Sequence, residues 1–162
     1  MGPPGVTIKA LTHQSKFLQE MMYEALFIPA GAPTPPREII WEPNLSKYHM
    51  HWGREGDCGL IAEVNNEEVG AIWCRLFTVK DKSYGFVSPE IPEMVIALKA
   101  PFRNRGIGTK LISALHEILR EEGTEGISLS VQKDNRAIQL YRRLGFKPVD
   151  QVGTAYTMLW RW

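Results

Sequence analysis

Arg103-Asn-Arg-Gly106-Ile-Gly108 stands between an apolar run, Met94 to Leu98, and an amphipathic segment from about Gly106 to Glu122. Ile107, Leu111, Ile112, Leu115, Ile118 and Leu119 recur at helical spacing and predict a helix with one buried face. Met94 to Leu98 predicts a central strand buried on both faces. The two glycines therefore fall in the first turn of a helix, where backbone N–H groups have no intrahelical acceptor. Free amides at the positive end of a helix dipole form an anion site, and glycine lets a phosphate approach the backbone closely. Arg103 and Arg105 can add charge-assisted contacts.

Spacing excludes two other phosphate loops. A dinucleotide fingerprint needs a third glycine at position 111, which is Leu, and no Gly-Lys-Ser/Thr string marks a nucleoside-triphosphate loop. Downstream, Ile127 to Val131 reads as a strand, Asp134 to Leu144 as a helix, and Gly145 as its C-terminal stop. Strands around Phe146 to Val149 and Thr154 to Trp160 finish the chain. Upstream, Val6 to Ala10 reads as a strand, and Thr12 as the N-cap of a helix through about Phe27. A proline-rich loop at 29–36 precedes a second helix over Leu45 to Trp52. Gly59 to Val64 and Val69 to Phe77 form a hairpin turning at Asn65-Asn66-Glu67-Glu68, and Thr78 to Pro92 is a long polar loop. The sum is an α/β (α+β) chain, a mixed sheet covered by helices.

Bulk properties narrow the class. A length of 162 residues fits one domain, and 44% hydrophobic with 23% charged residues is globular composition. A net charge of +1 argues against a nucleic-acid binder. No apolar run approaches the roughly 20 residues of a membrane span. Met1-Gly2-Pro3-Pro4-Gly5 lacks the pattern of a signal peptide, and Val6 argues against a myristoylation start. Cys58 and Cys74 read as small buried hydrophobes in preference to a disulfide, and a cytoplasmic setting follows as the default. His49 and His51, two apart on the second helix, cannot form an i, i+4 metal pair, and His13 and His116 read as solvated. No metal site is expected.

Arg103-x-x-Gly106-x-Gly108, together with Asn135 and Tyr141-Arg-Arg-Leu-Gly145-Phe146, resembles the signature of the GCN5-related N-acetyltransferase (GNAT) superfamily. The resemblance runs from about Pro92 to Lys147. It implies a single acetyltransferase domain over 1–162, with a mostly antiparallel sheet of about seven strands and about four helices, splayed at the central strand. Within it, 6–92 would form the acceptor side, 93–149 the acetyl-CoA-binding core and 150–162 the closing strand. It further implies that backbone groups around Ile96, Ala97 and Leu98 face the cofactor. Amides of Arg103, Asn104, Arg105, Gly106, Ile107, Gly108 and Thr109 would hold its diphosphate, with Asn135 near the pantetheine.

Tyr141 occupies the position of the family's thiolate-protonating tyrosine; on periodicity alone it is a core residue. Glu93 resembles the general base, against the alternative of a solvated strand-start residue, and Glu90 is a weaker candidate. Acetyl transfer to a primary amine of a small molecule or peptide, without an acyl-enzyme, is the implied activity. A CoA-binding sensor on the same fold is the alternative. Acceptor contacts are expected from Tyr23, Phe27, Trp41, Tyr48 and the Tyr84-Gly85-Phe86 loop. Trp160 and Trp162 are expected to cap a sheet edge or a homodimer contact.

Overall fold

A computed structural model describes residues 5–13 and 15–162. The leader and lipidation readings of the first four residues lie outside them. Seven strands and four α-helices follow in the order β1 (Val6–Ala10), α1 (Lys16–Glu24), α2 (Pro43–Ser46), β2 (Cys58–Val64), β3 (Glu67–Arg75), β4 (Glu93–Leu98), α3 (Ile107–Glu121), β5 (Gly126–Gln132), α4 (Ala137–Arg143), β6 (Lys147–Val152) and β7 (Ala155–Arg161). The strands form one sheet ordered β1-β2-β3-β4-β5-β7-β6, antiparallel throughout except between β4 and β5.

Each face of the sheet carries its own core. On one side α3 lays Ile107, Leu111, Ile112, Leu115 and Leu119 against Ile72, Met94, Ile127 and Met158. Each such side chain contributes about 1.5–3 kcal/mol when fully buried. On the other side α1 lays Phe17, Leu18, Met21 and Met22 against Ile61, Ala71, Trp73 and Ala97. Strand alternation therefore sends Met94, Ile96 and Leu98 toward α3, and Val95 and Ala97 toward α1.

Four sequence expectations are corrected. The first helix starts at Ser15, whose Oγ accepts from the Leu18 amide, because the strand pairing continues through Leu11 N–H to Gly59 O (2.9 Å) and carries the chain past Thr12. The second helix is the short α2, opened by Pro43 and preceded by a 3₁₀ turn at Arg37–Trp41. It does not continue to Trp52. Instead the carbonyls of Lys47, Met50 and His51 turn toward the Arg75 guanidinium, at 2.9, 2.7 and 3.3 Å. The hairpin turn needs only Asn65 and Asn66, both at positive φ (51° and 65°), as a two-residue loop with Val64 opposite Glu67. Val95, Ile96 and Leu98 are half-buried, so β4 is not covered on both faces along its length.

Arg75 and Asp57 form an ion pair at 2.8 Å with side chains 1% and 2% exposed. Its five hydrogen bonds to Asp57 and the three carbonyls satisfy the buried charge and tie the segment after α2 to β3. Removing one member of such a pair leaves the other uncompensated in the interior. Asp57→Asn is expected to lower unfolding free energy by about 3–5 kcal/mol, read from urea melts; a loss below ~1 kcal/mol would contradict the role given to this pair.

Candidate active site

β4 and β5 pair at one position, Glu93 opposite Ser128, reinforced by Ser128 N–H to Pro92 O at 2.9 Å. Beyond that point the strands part. The β5-facing edge of β4, past Glu93, is left with main-chain donors and acceptors that no strand claims, although its other edge is fully paired to β3. Ile96 and Leu98 flank the opening, and Gly108 sits over them: a Cβ there would lie 3.8 Å from both side chains. Packing does not require glycine at 108. Its missing side chain keeps the floor of the turn open.

The turn itself is built by backbone conformation. Asn104 (φ 61°) and Gly106 (φ 82°) adopt the left-handed region, which swings the chain into α3. The first helical hydrogen bond runs from Lys110 N–H to Gly106 O at 3.1 Å. The amides of Ile107, Gly108 and Thr109 thus point from the helix N-terminus without a helical acceptor, as an anion site requires. Arg103 is partly committed: its Nε donates to Leu98 O (3.0 Å) and its guanidinium pairs with Glu24 (3.2 Å). It braces the turn against β4 and α1. Arg105 lies 5.5 Å over the Phe102 ring and stays exposed.

Asn135 Oδ1 accepts from Ala137 N–H at 2.9 Å and opens α4. The far end of α4 explains the Tyr141-x-x-x-Gly145-Phe146 spacing. Gly145, at φ 110°, lets Phe146 N–H reach Tyr141 O (3.0 Å) and Gly145 N–H reach Arg142 O (3.1 Å). That pair of bonds is a Schellman closure, with Phe146 edge-on to the Tyr141 ring at 5.8 Å. Tyr141 is buried, its hydroxyl has no hydrogen-bond partner among the described residues, and burial pushes its ionisation up to about 12. The group remains a protonated phenol over the physiological range.

Glu93 is not solvated. It is 3% exposed and accepts hydrogen bonds from Tyr48 Oη (2.7 Å), Ser83 Oγ and Gly85 N–H (2.9 Å). Tyr48 Oη in turn accepts from Tyr84 N–H at 2.9 Å. This network fastens the 78–92 loop to the point where β4 meets β5. Gly85 fits there because a Cβ would press on the Leu129 backbone at 2.7 Å and the Glu93 carboxyl at 2.9 Å. Burial raises the Glu93 carboxyl above its ordinary range, against the lowering pull of the Ser83, Tyr48 and Gly85 bonds and the Lys47 charge. Glu90, by contrast, is exposed on the loop.

The same loop roofs a groove of about 480 Å³ lined by Asn44, Lys47, Lys82, Tyr84, Asp150 and Thr157, among others. Ser83 also lines it, so the groove reaches the Glu93 network at the junction of β4 and β5. Thr157 lies opposite Ser130 of β5. The C-terminal hairpin thus supplies one wall of the groove through Asp150, Val152 and Thr157. No local pattern marks Asp150 or Thr157; only strand order brings them in.

Of the expected acceptor aromatics, Tyr84 and Phe86 line this groove. Tyr48 is buried under it, Tyr23 bonds Pro35 O (2.6 Å), Phe27 is half-buried and Trp41 stands exposed, edge-on to His49.

The histidine and tryptophan readings also change. His49 is wholly buried with Nε2 2.9 Å from Ile40 O, and His51 lies in a turn at φ 56°. His116 is buried, stacked 4.1 Å from Trp160, and burial lowers its ionisation to about 4. Trp160 belongs to an internal strand and Trp162 donates to Thr124 O, so both pack against the α3-side core, and the sheet edge on that side is β6.

Residues 20–146 match the model of the Acetyltransferase (GNAT) family. The chain belongs to that family. It is 31% identical over 97 residues to N-alpha-acetyltransferase 50 of Danio rerio, covering 59% of this chain and 54% of that protein. It is 35% identical over 99 residues to the N-alpha-acetyltransferase of Sulfurisphaera tokodaii, covering 55% and 56%. The chain spans about half the length of the curated relatives it matches. The fold superposes on the PaiA N-acetyltransferase of Thermoplasma acidophilum, solved in complex with coenzyme A, with TM-score 0.67, 15% identity and coverage of 96% and 99%. As this GNAT chain folds, no helix among the described residues is long and apolar enough to cross a membrane.

The buried Glu93 carboxyl leaves a signature in stability. A carboxyl raised on folding lends stability that is complete below its unfolded value and lost as pH rises through its folded value. Glu93→Gln removes that dependence. From the ordinary carboxylate value of 4.5 upward, wild-type stability should decline relative to the variant, read from urea midpoints at stepped pH. A gap that stays constant from acid to neutral pH would show that Glu93 does not carry the raised ionisation.

Proposed function

We propose that this GNAT chain is an acetyltransferase that moves an acetyl group from acetyl-CoA to a primary amine of a peptide or small molecule by direct transfer. The observation that carries this reading is the union of the unclaimed amides at 107–109 with the open edge of β4 past Glu93. A diphosphate fits the first and an extended amide-bearing arm fits the second, and both lie on the α3 side of Ile96 and Leu98.

Acetyl-CoA would supply the activated thioester carbonyl. The amides of Ile107, Gly108 and Thr109, with Arg105 and the backbone from Arg103 to Gly106, would hold the diphosphate. The main chain of Ile96, Ala97 and Leu98 would hold the pantetheine in extended form, with Asn135 at its side. A departing thiolate, from a thiol of ordinary pKa near ~8.5, is stabilised by a proton donor, and Tyr141 is a buried phenol free to give that proton. Glu93, tied by three donors, would orient the Ser83–Gly85 loop and bias the amine toward its neutral form through the groove. Residues 6–92 and the hairpin at 147–161 would share the acceptor side, and 93–149 the cofactor side. Relatives named N-alpha-acetyltransferases favour the α-amine of a peptide as acceptor.

Two variants separate binding from chemistry. Gly108→Val should lower coenzyme A affinity at least ~10-fold by calorimetry, because the side chain would occupy the turn beneath the anion. Gly108→Ala, which has room in the folded chain, should leave thermal stability of the free protein nearly unchanged. Tyr141→Phe should cut turnover ~10²-fold or more with cofactor affinity retained. Thiol release over a panel of peptides and free amines reads both turnover and acceptor. Wild-type turnover in Tyr141→Phe would remove the tyrosine from the mechanism, and tight coenzyme A binding by Gly108→Val would remove the turn from the cofactor site.

A further inference from the structure

Cys58 and Cys74 are direct cross-strand neighbours in the β2–β3 hairpin. Both belong to the α3 side of the sheet: Cys74 lies inside that core and Cys58 packs against its rim. Directly opposed residues on an antiparallel pair keep their Cβ atoms ~4.5–5.5 Å apart, and a disulfide asks for a Cα separation of ~4.4–6.8 Å and a Cβ separation of ~3.5–4.5 Å. A small in-plane movement of the two strands closes that gap. Both thiols are free in this structure.

We propose that Cys58 and Cys74 form a reversible dithiol–disulfide pair, with Cys58 the attacking and Cys74 the resolving sulfur. Access sets the order. Cys58 is half-buried and reachable from solvent, whereas Cys74 is wholly enclosed. An external oxidant meets Cys58 first, and Cys74 can be reached only through it. The neighbouring Cys74 thiol favours the Cys58 thiolate, against the opposing pull of burial and the Glu122 carboxylate. The thiolate is the reactive form.

With a small-molecule disulfide such as glutathione disulfide as oxidant, the Cys58 thiolate attacks one sulfur and a glutathione thiolate leaves. A mixed disulfide remains on Cys58. The Cys74 thiol gives up its proton and attacks the Cys58 sulfur, and the second glutathione thiolate departs and is protonated by solvent. The two protein thiols lose two electrons between them, and the small disulfide gains them as two thiols. Asp57 immediately precedes Cys58 and Arg75 immediately follows Cys74, and strand alternation turns Arg75 to the other face of the sheet, so the cross-link leaves their ion pair in place.

The chain has two cysteines, so thiol counting reads this pair alone. The full chain is incubated with glutathione disulfide, quenched by acid, and examined by thiol titration in denaturant and by intact mass. Both thiols should disappear with loss of two hydrogen atoms and no retained glutathione, and dithiothreitol should restore them. Cys74→Ala, which keeps a small apolar side chain in the core, should instead hold one glutathione on Cys58. Cys58→Ala should leave Cys74 unreactive until the chain is unfolded. Persistence of both thiols, a stable glutathione adduct on the wild type, or a disulfide-linked dimer on a non-reducing gel would each overturn the proposal.

Discussion

The organisation of this molecule depends on one contact, the single pairing of Glu93 with Ser128 where two parallel strands meet and then diverge. A sheet normally claims every main-chain donor and acceptor of an internal strand. Here the claim stops after one pair, and an internal strand acquires a free edge without being at the edge of the sheet. That edge stays useful because the closed end is held firmly. A buried carboxylate with three donors fixes the 83–85 loop over the junction, and Gly85 lies so close to the β5 backbone at Leu129 that a side chain there would clash with it.

The closed end is in turn supported from a distance. Tyr48, which donates to Glu93, belongs to the segment after α2 whose carbonyls converge on Arg75. Arg75 is neutralised by Asp57 and lies within 5.4 Å of the Trp52 ring. A buried guanidinium is a costly device for holding a loop, and apolar packing would serve stability as well. What the ion supplies is direction: a planar fork of donors can collect three carbonyls from a chain turning between Lys47 and His51, which a hydrocarbon cannot do. The path runs from the core ion pair through Tyr48 to the carboxylate and the groove.

Local signals carried much of this. Hydrophobic spacing located α3, and the glycines before it marked a helix N-terminus with free amides. The Tyr141-to-Phe146 spacing encodes a helix stop, because the Schellman closure needs glycine at 145 and the residue after it is buried. Signals failed where distant atoms decide. Ser15 replaced Thr12 as the cap because backbone pairing runs one residue past β1 to Leu11, and the second helix stops at Ser46 because Arg75 takes the carbonyls that follow it. His116 looks solvated among the polar residues of α3, yet β7 brings Trp160 onto its ring.

By itself the chain's sequence determined the order of strands and helices, the glycine turn that opens α3 and the helix stop, since each rests on the conformational preferences of residues within a few positions of one another. Tertiary structure alone decided that Glu93 is buried, that the C-terminal hairpin forms a wall of the groove, and that Cys58 faces Cys74. Those are properties of pairs separated in sequence and joined by strand order and register. Burial, hydrogen-bond satisfaction and access to solvent exist only once the sheet has assembled, so no local pattern can encode them.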